Sequence, residues 1–112
     1  MKKISLKNMA GLERLADVYG FGSYFKGESN FNDIDILIVQ NSNSFKSCKV
    51  AISLKKNLLA RVDKVSVTML SKSEESEVNF IEKASAKHLS PYNGKNLCEI
   101  IAAIEDISSV CK

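Results

Sequence analysis

The chain has few residues that disulfide or zinc chemistry could use. Its three cysteines, Cys48, Cys98 and Cys111, are odd in number, far apart and form no CxxC pair. That argues against a disulfide framework and a structural zinc site. Reduced thiols in a cytoplasmic protein are the economical reading. His88 is the single histidine. It follows Lys87 in what reads as a loop, with no second ligand in view, so no metal role is assigned to it. Long apolar runs are also missing. The longest, residues 34–39, has Asp35 inside it and is far too short to span a bilayer, so no membrane partner is expected. Lys2 and Lys3 lead into no apolar segment, which leaves no secretory signal. There is no internal repeat, low-complexity tract or linker. Net charge is +3, a mild excess. Lysines gather at Lys2, Lys3 and Lys7 and again over residues 46–64, as a solvated surface or as attraction for a phosphate-bearing ligand. No basic run is dense enough to make duplex nucleic acid the main partner.

What is present describes one globular domain. At 112 residues with 45% apolar content, the chain can bury a single core but not two. The expected domain is residues 1–112, with 94–112 as a C-terminal helical extension. Met9, Leu12, Leu15 and Ala16 fall at helical spacing and predict a helix over residues 5–16. Residues 18–21 read as a short buried strand, 24–32 as a loop with one helical turn after Ser23, and 33–40 as the clearest strand. Val50, Leu54 and Leu58 predict a helix over 45–60. Residues 62–69 alternate in strand fashion. Acidic first turns predict a helix over 73–85, and Pro91-Tyr92-Asn93-Gly94 signals a turn. Asn96 and Glu99 resemble a capping box before a strong apolar stripe, which predicts a helix over 96–110. The order implies an α/β (α+β) fold: a small mixed sheet with helices packed on it.

The chemistry concentrates in residues 20–39, GFGSYFKGESNFNDIDILIV. In a strand, residues i and i+2 share a face, so Asp33 and Asp35 stand side by side, roughly 6–7 Å apart at the backbone. Two carboxylates so close repel one another and raise each other's pKa unless a positive charge intervenes. A hard divalent cation such as Mg²⁺ fits, because it favours carboxylate oxygens and leaves positions open for phosphate. A bare pair of this kind commonly does no more than face water. Gly22 and Ser23 change the balance. The glycine lets backbone come close to a ligand, and the serine offers a hydroxyl and an N–H at the start of a helical turn. Together they can cradle a triphosphate beside metal-bound carboxylates. Gly20-Phe21-Gly22 begins like a dinucleotide fingerprint but has Phe25 where the third glycine belongs. The asparagines near the aspartates lack the central glycine of a calcium loop. Tyr24 and Phe25 either stack a base or pack under the loop.

An apolar strand, Gly22-Ser23, a gap of about ten residues and Asp33-Ile34-Asp35 resemble the signature of the DNA polymerase β-like nucleotidyltransferase superfamily. The closest likeness is to the minimal nucleotidyltransferases, whose motif also holds a glycine at the position of Gly27. The resemblance covers about residues 8–85. Tyr24 and Lys26 stand where arginines are frequent, and Asn32 stands where serine is common. The resemblance implies a third carboxylate on a later strand. Val62-Asp63 is the match, although Lys64 follows it where an apolar residue is usual.

The resemblance implies that Asp33, Asp35 and Asp63 are catalytic and bind two Mg²⁺ ions bridging a nucleoside triphosphate, most simply ATP. Gly22, Ser23, Lys26 and Gly27 would bind the nucleotide, with Lys26 near the leaving pyrophosphate. The acceptor would be a hydroxyl on a partner protein or other molecule. The closest family suggests the antitoxin of a toxin–antitoxin pair, acting on a small helical toxin. The 96–110 helix would be core or a surface for that partner or for self-association. The alternative is a catalytically silent module of the same fold that acts by contact alone. Transfer to a small molecule would ordinarily need an acceptor-binding domain, for which the chain has no room.

Overall fold

The computed structural model describes residues 15–28, 32–42 and 44–110. Strand β1 spans Ala16–Phe21 and leads through a short 3-10 turn, Tyr24–Lys26, to β2, Ile34–Gln40. Helix α1, Phe45–Arg61, connects β2 to β3, Val65–Ser71. Two short helices follow, α2 (Lys72–Val78) and α3 (Phe80–Ala84), then β4 (Lys87–Tyr92) and α4 (Leu97–Val110). The strands form one mixed sheet in the order β3-β2-β1-β4. β1 runs antiparallel to β2 and β4, and β2 runs parallel to β3. A parallel pair needs a crossover, and α1 supplies it.

Alternation along the strands decides which face is core. Ala16 and Val18 of β1, Ile34, Ile36 and Ile38 of β2, and Val65, Val67 and Met69 of β3 all point to one side. Ala51, Leu54 and Leu58 of α1 pack there, with Ile100 and Ile104 of α4. Leu54, Leu58, Ile100 and Ile104 are fully buried, each worth about 1.5–3 kcal/mol relative to exposure. Of the stripe predicted for the C-terminal helix, Leu97, Ile100, Ile101 and Ile104 therefore belong to the molecule's own core. Asp35, Leu37 and Val39 face the other side of β2, opposite to its core isoleucines.

Helix ends follow local chemistry. Ser44 caps α1 by accepting from the Ser47 amide, and the buried Ser47 hydroxyl donates to the Leu15 carbonyl at 2.8 Å. Ser71 and Glu74 form a reciprocal capping box at α2. Several boundaries differ from the sequence expectation. The expected helix over 5–16 falls outside the described residues except at its end, where Ala16 already belongs to β1. The single helix expected over 73–85 breaks at Asn79, whose φ of 52° is left-handed. Residues 87–92, read as loop and turn, are strand β4. β3 begins at Val65 rather than at residue 62.

Candidate functional site

The site assembles at the end of β1, where the chain turns over the start of β2. Phe21 pairs with Asp35 across these strands. Gly22 follows in a left-handed conformation, φ 82°. The Asp35 carboxylate lies directly against it: a Cβ at position 22 would overlap Asp35 Oδ2. Glycine is needed here twice over, for the sign of φ and for this approach. The Ser23 carbonyl then accepts from the amides of Lys26 and Glu28, both at 3.1 Å, which winds the 3-10 turn. Gly27, φ 84°, closes it by donating to the Tyr24 carbonyl. Lys26 projects from this turn and is exposed.

Tyr24 and Phe25 pack beneath the turn rather than stacking a ligand. The Phe25 ring lies flat on Gly20, where an added Cβ would come within 2.5 Å of it. Tyr24 is buried and donates its hydroxyl to the Ile104 carbonyl of α4 at 2.8 Å. Tyr24 thus fixes the turn to the core, which accounts for an aromatic residue at a place where arginine is frequent.

Asp33 is exposed immediately before β2, and Asp35 is half-buried. Burial pushes the Asp35 carboxyl above its ordinary range, and the charge of Asp33 pushes it further. Asp35 thus lies on the face of β2 opposite its core isoleucines, with Asp33 close enough for its charge to act on it.

Asp63 does not join them. The residue is exposed in the turn between α1 and β3, two positions before the strand. Val62 ends α1, Lys64 adopts φ 64°, and the Lys64 carbonyl accepts from the Ile34 amide at 2.9 Å. Among the described residues, no three His, Cys, Asp or Glu side chains gather closely enough to hold a metal. The β3 residue paired with Asp35 is instead Ser66. Its signal was the alternation of Val65, Val67 and Met69, which assigns 66 to the opposite face. Asp33 and Asp35 fit a single divalent ion completed by phosphate oxygens and water. The residues present do not fit two ions held by three carboxylates.

A family model for the nucleotidyltransferase domain matches residues 3–91. The chain belongs to that family. The small mixed sheet with its packed helices is the nucleotidyltransferase fold anticipated from the minimal-type motif. The match is to a transferase family, so nucleotidyl transfer is the chemistry of the class. No curated protein and no solved structure matched the chain.

His88 lies on β4, not in a loop. Its Nε2 is 2.8 Å from Asp17 Oδ1, and its ring meets Tyr19 edge-on at 5.1 Å. With Asn41 and Lys72 these residues line an open groove of about 350 Å³. Asp17 pairs with Val39 and Asp35 with Phe21, so the groove lies at the other end of β1 from the aspartate pair. Cys48 and Cys98 are free thiols. No helix among the described residues is long and apolar enough to cross a membrane.

Proposed function

We propose that this nucleotidyltransferase-family chain binds a nucleoside triphosphate with a divalent cation at the Gly22–Asp35 contact and transfers its nucleotidyl group. The nucleotide is ATP and the group AMP. The acceptor is a hydroxyl on a partner protein, in keeping with an antitoxin acting on a small helical toxin. The observation that carries the reading is the Asp35 carboxylate seated on the left-handed Gly22 turn, beside Asp33. Asp33 and Asp35 would hold Mg²⁺, which when bound offsets charge on the triphosphate. Gly22 and Gly27 shape the turn for close backbone approach, with Ser23 between them, and exposed Lys26 supplies a cation toward pyrophosphate. The acceptor oxygen forms a bond to the α-phosphorus, the bond from that phosphorus to the bridging oxygen breaks, pyrophosphate leaves, and the acceptor proton passes to solvent. A cytoplasmic location suits free thiols and a nucleotide substrate.

A second reading has its own support. Among the described residues Asp63 forms no metal-holding cluster with the aspartate pair, which favours a module that binds its partner without modifying it. One experiment separates the two. The chain is incubated with labelled ATP, Mg²⁺ and the product of the neighbouring reading frame. Label on that partner, lost in the Asp33→Asn/Asp35→Asn double variant, is the expected result. Equal partner binding by both proteins with no label on either partner would establish the silent module.

A further inference from the structure

We propose that Ser66 limits this site to one divalent cation, so that the native chain holds metal and nucleotide but lacks the anionic group needed to seat a second ion. The inference rests on the nucleotide-site reading above and concerns the side chain that flanks it.

Three observations carry it. The first is register. β2 and β3 are parallel, with Ile34 opposite Val65, Asp35 opposite Ser66 and Ile36 opposite Val67. Paired residues in adjacent strands share a face, with the strands about 4.8 Å apart. The second is alternation. Val65, Val67 and Met69 pack against the core, so Ser66 stands on the opposite face with Asp35 and is exposed there. The third is the other flank. On the β1 side Asp35 meets Phe21 and Gly22, neither of which carries charge, and the Phe21 ring is engaged edge-on with Phe80 at 5.0 Å.

Charge decides the count. Two ions about 3.5–4 Å apart bring four positive charges and need carboxylates enough to bridge and hold both. Asp33 and Asp35 supply two negative charges. A serine hydroxyl is neutral and offers a hydrogen bond, not an anionic ligand. One Mg²⁺ is satisfied by one or two carboxylates with phosphate oxygens and water. Asp63 does not make up the deficit: it is exposed in the turn before β3, and among the described residues no three His, Cys, Asp or Glu side chains gather closely enough to hold a metal.

The test counts metal ions on the full-length chain with Mn²⁺ and a non-hydrolysable ATP analogue. Bound Mn²⁺ is read by electron paramagnetic resonance and calorimetry. The native chain is expected to bind one ion per nucleotide, Ser66→Asp two, and Ser66→Asn, of the same size without the charge, one. Asp63→Asn should match the native chain. Circular dichroism melts establish that each variant is folded. Two ions on the native chain, or the loss of an ion in Asp63→Asn, would overturn the inference while leaving the nucleotide site standing. A folded Ser66→Asp that still binds one ion would overturn it as well. Absence of nucleotide-dependent Mn²⁺ binding in every protein would overturn the nucleotide-site reading, and the inference with it.

Discussion

Gly22 and Asp35 meet through a backbone and a carboxylate, so a single methyl group at position 22 disturbs both. Gly22→Ala should cost about 1–2 kcal/mol from the left-handed φ alone. It should also displace Asp35, abolishing nucleotide binding while the chain stays folded; calorimetry and thermal melts check the two effects. Without a cation beside it, Asp35 is a liability to the fold. Its carboxyl holds a proton to higher pH in the folded chain than in the unfolded one, where its ordinary value is 3.8. The folded state therefore binds more protons across that window, and stability falls as pH rises through it. Asp35→Asn should melt at a higher temperature than the native chain at pH 7, and this advantage should vanish as the pH drops below 3.8. A pH series of melts without metal measures it. The pair itself was legible in the sequence because a period of two needs no tertiary information. Gly22, Ser23 and Gly27 were legible through their spacing from it. Asp63 was misplaced for a local reason: Val62 and Val65 both suit a strand, and only the positive φ of Lys64 shows that the strand starts after the turn.

At the level of elements, the turn after β1 and helix α4 act as one unit. The hydrogen bond from the Tyr24 hydroxyl to the Ile104 carbonyl spans eighty positions of sequence and is buried. Tyr24→Phe removes a second bond from a carbonyl that lies within the α4 hydrogen-bond ladder and should cost about 0.5–1.5 kcal/mol, seen in chemical denaturation. Because the same residue underlies Ser23, nucleotide affinity should fall with it, although Tyr24 touches no ligand. Strand β4 explains the largest miss in the sequence reading. Its pairing with β1 shifts between Val18 and Tyr19, and it contains Pro91. A bulge interrupts the alternation that marks a strand, and proline is tolerated because β4 lies at the sheet edge. Asn79 hid in the same manner. It interrupts a helical pattern without a glycine or proline to signal the break.

Across the whole molecule, the matched domain ends at residue 91, whereas the core does not. Ile100 and Ile104 of α4 are fully buried with the strand residues of β1 and β2. A chain ended after residue 96 should lose its cooperative unfolding transition. Ile104→Ala in the full chain should cost about 2–5 kcal/mol, read from urea midpoints. At the end of the sheet that carries the site, adjacent positions divide by face, although Leu37 and Val39 are buried further along the Asp35 face. Ile34, Ile36, Val65 and Val67 hold the fold on one face, while Asp35 and Ser66, interleaved with them, meet the other. Neighbouring positions therefore answer to different demands. On the proposed function, a change at 35 or 66 would alter ligand chemistry and leave the core cluster intact, and a change one residue away would do the reverse. On the proposed function, descendants of such a chain would move between modifying a partner and merely holding it by single steps that folding does not police.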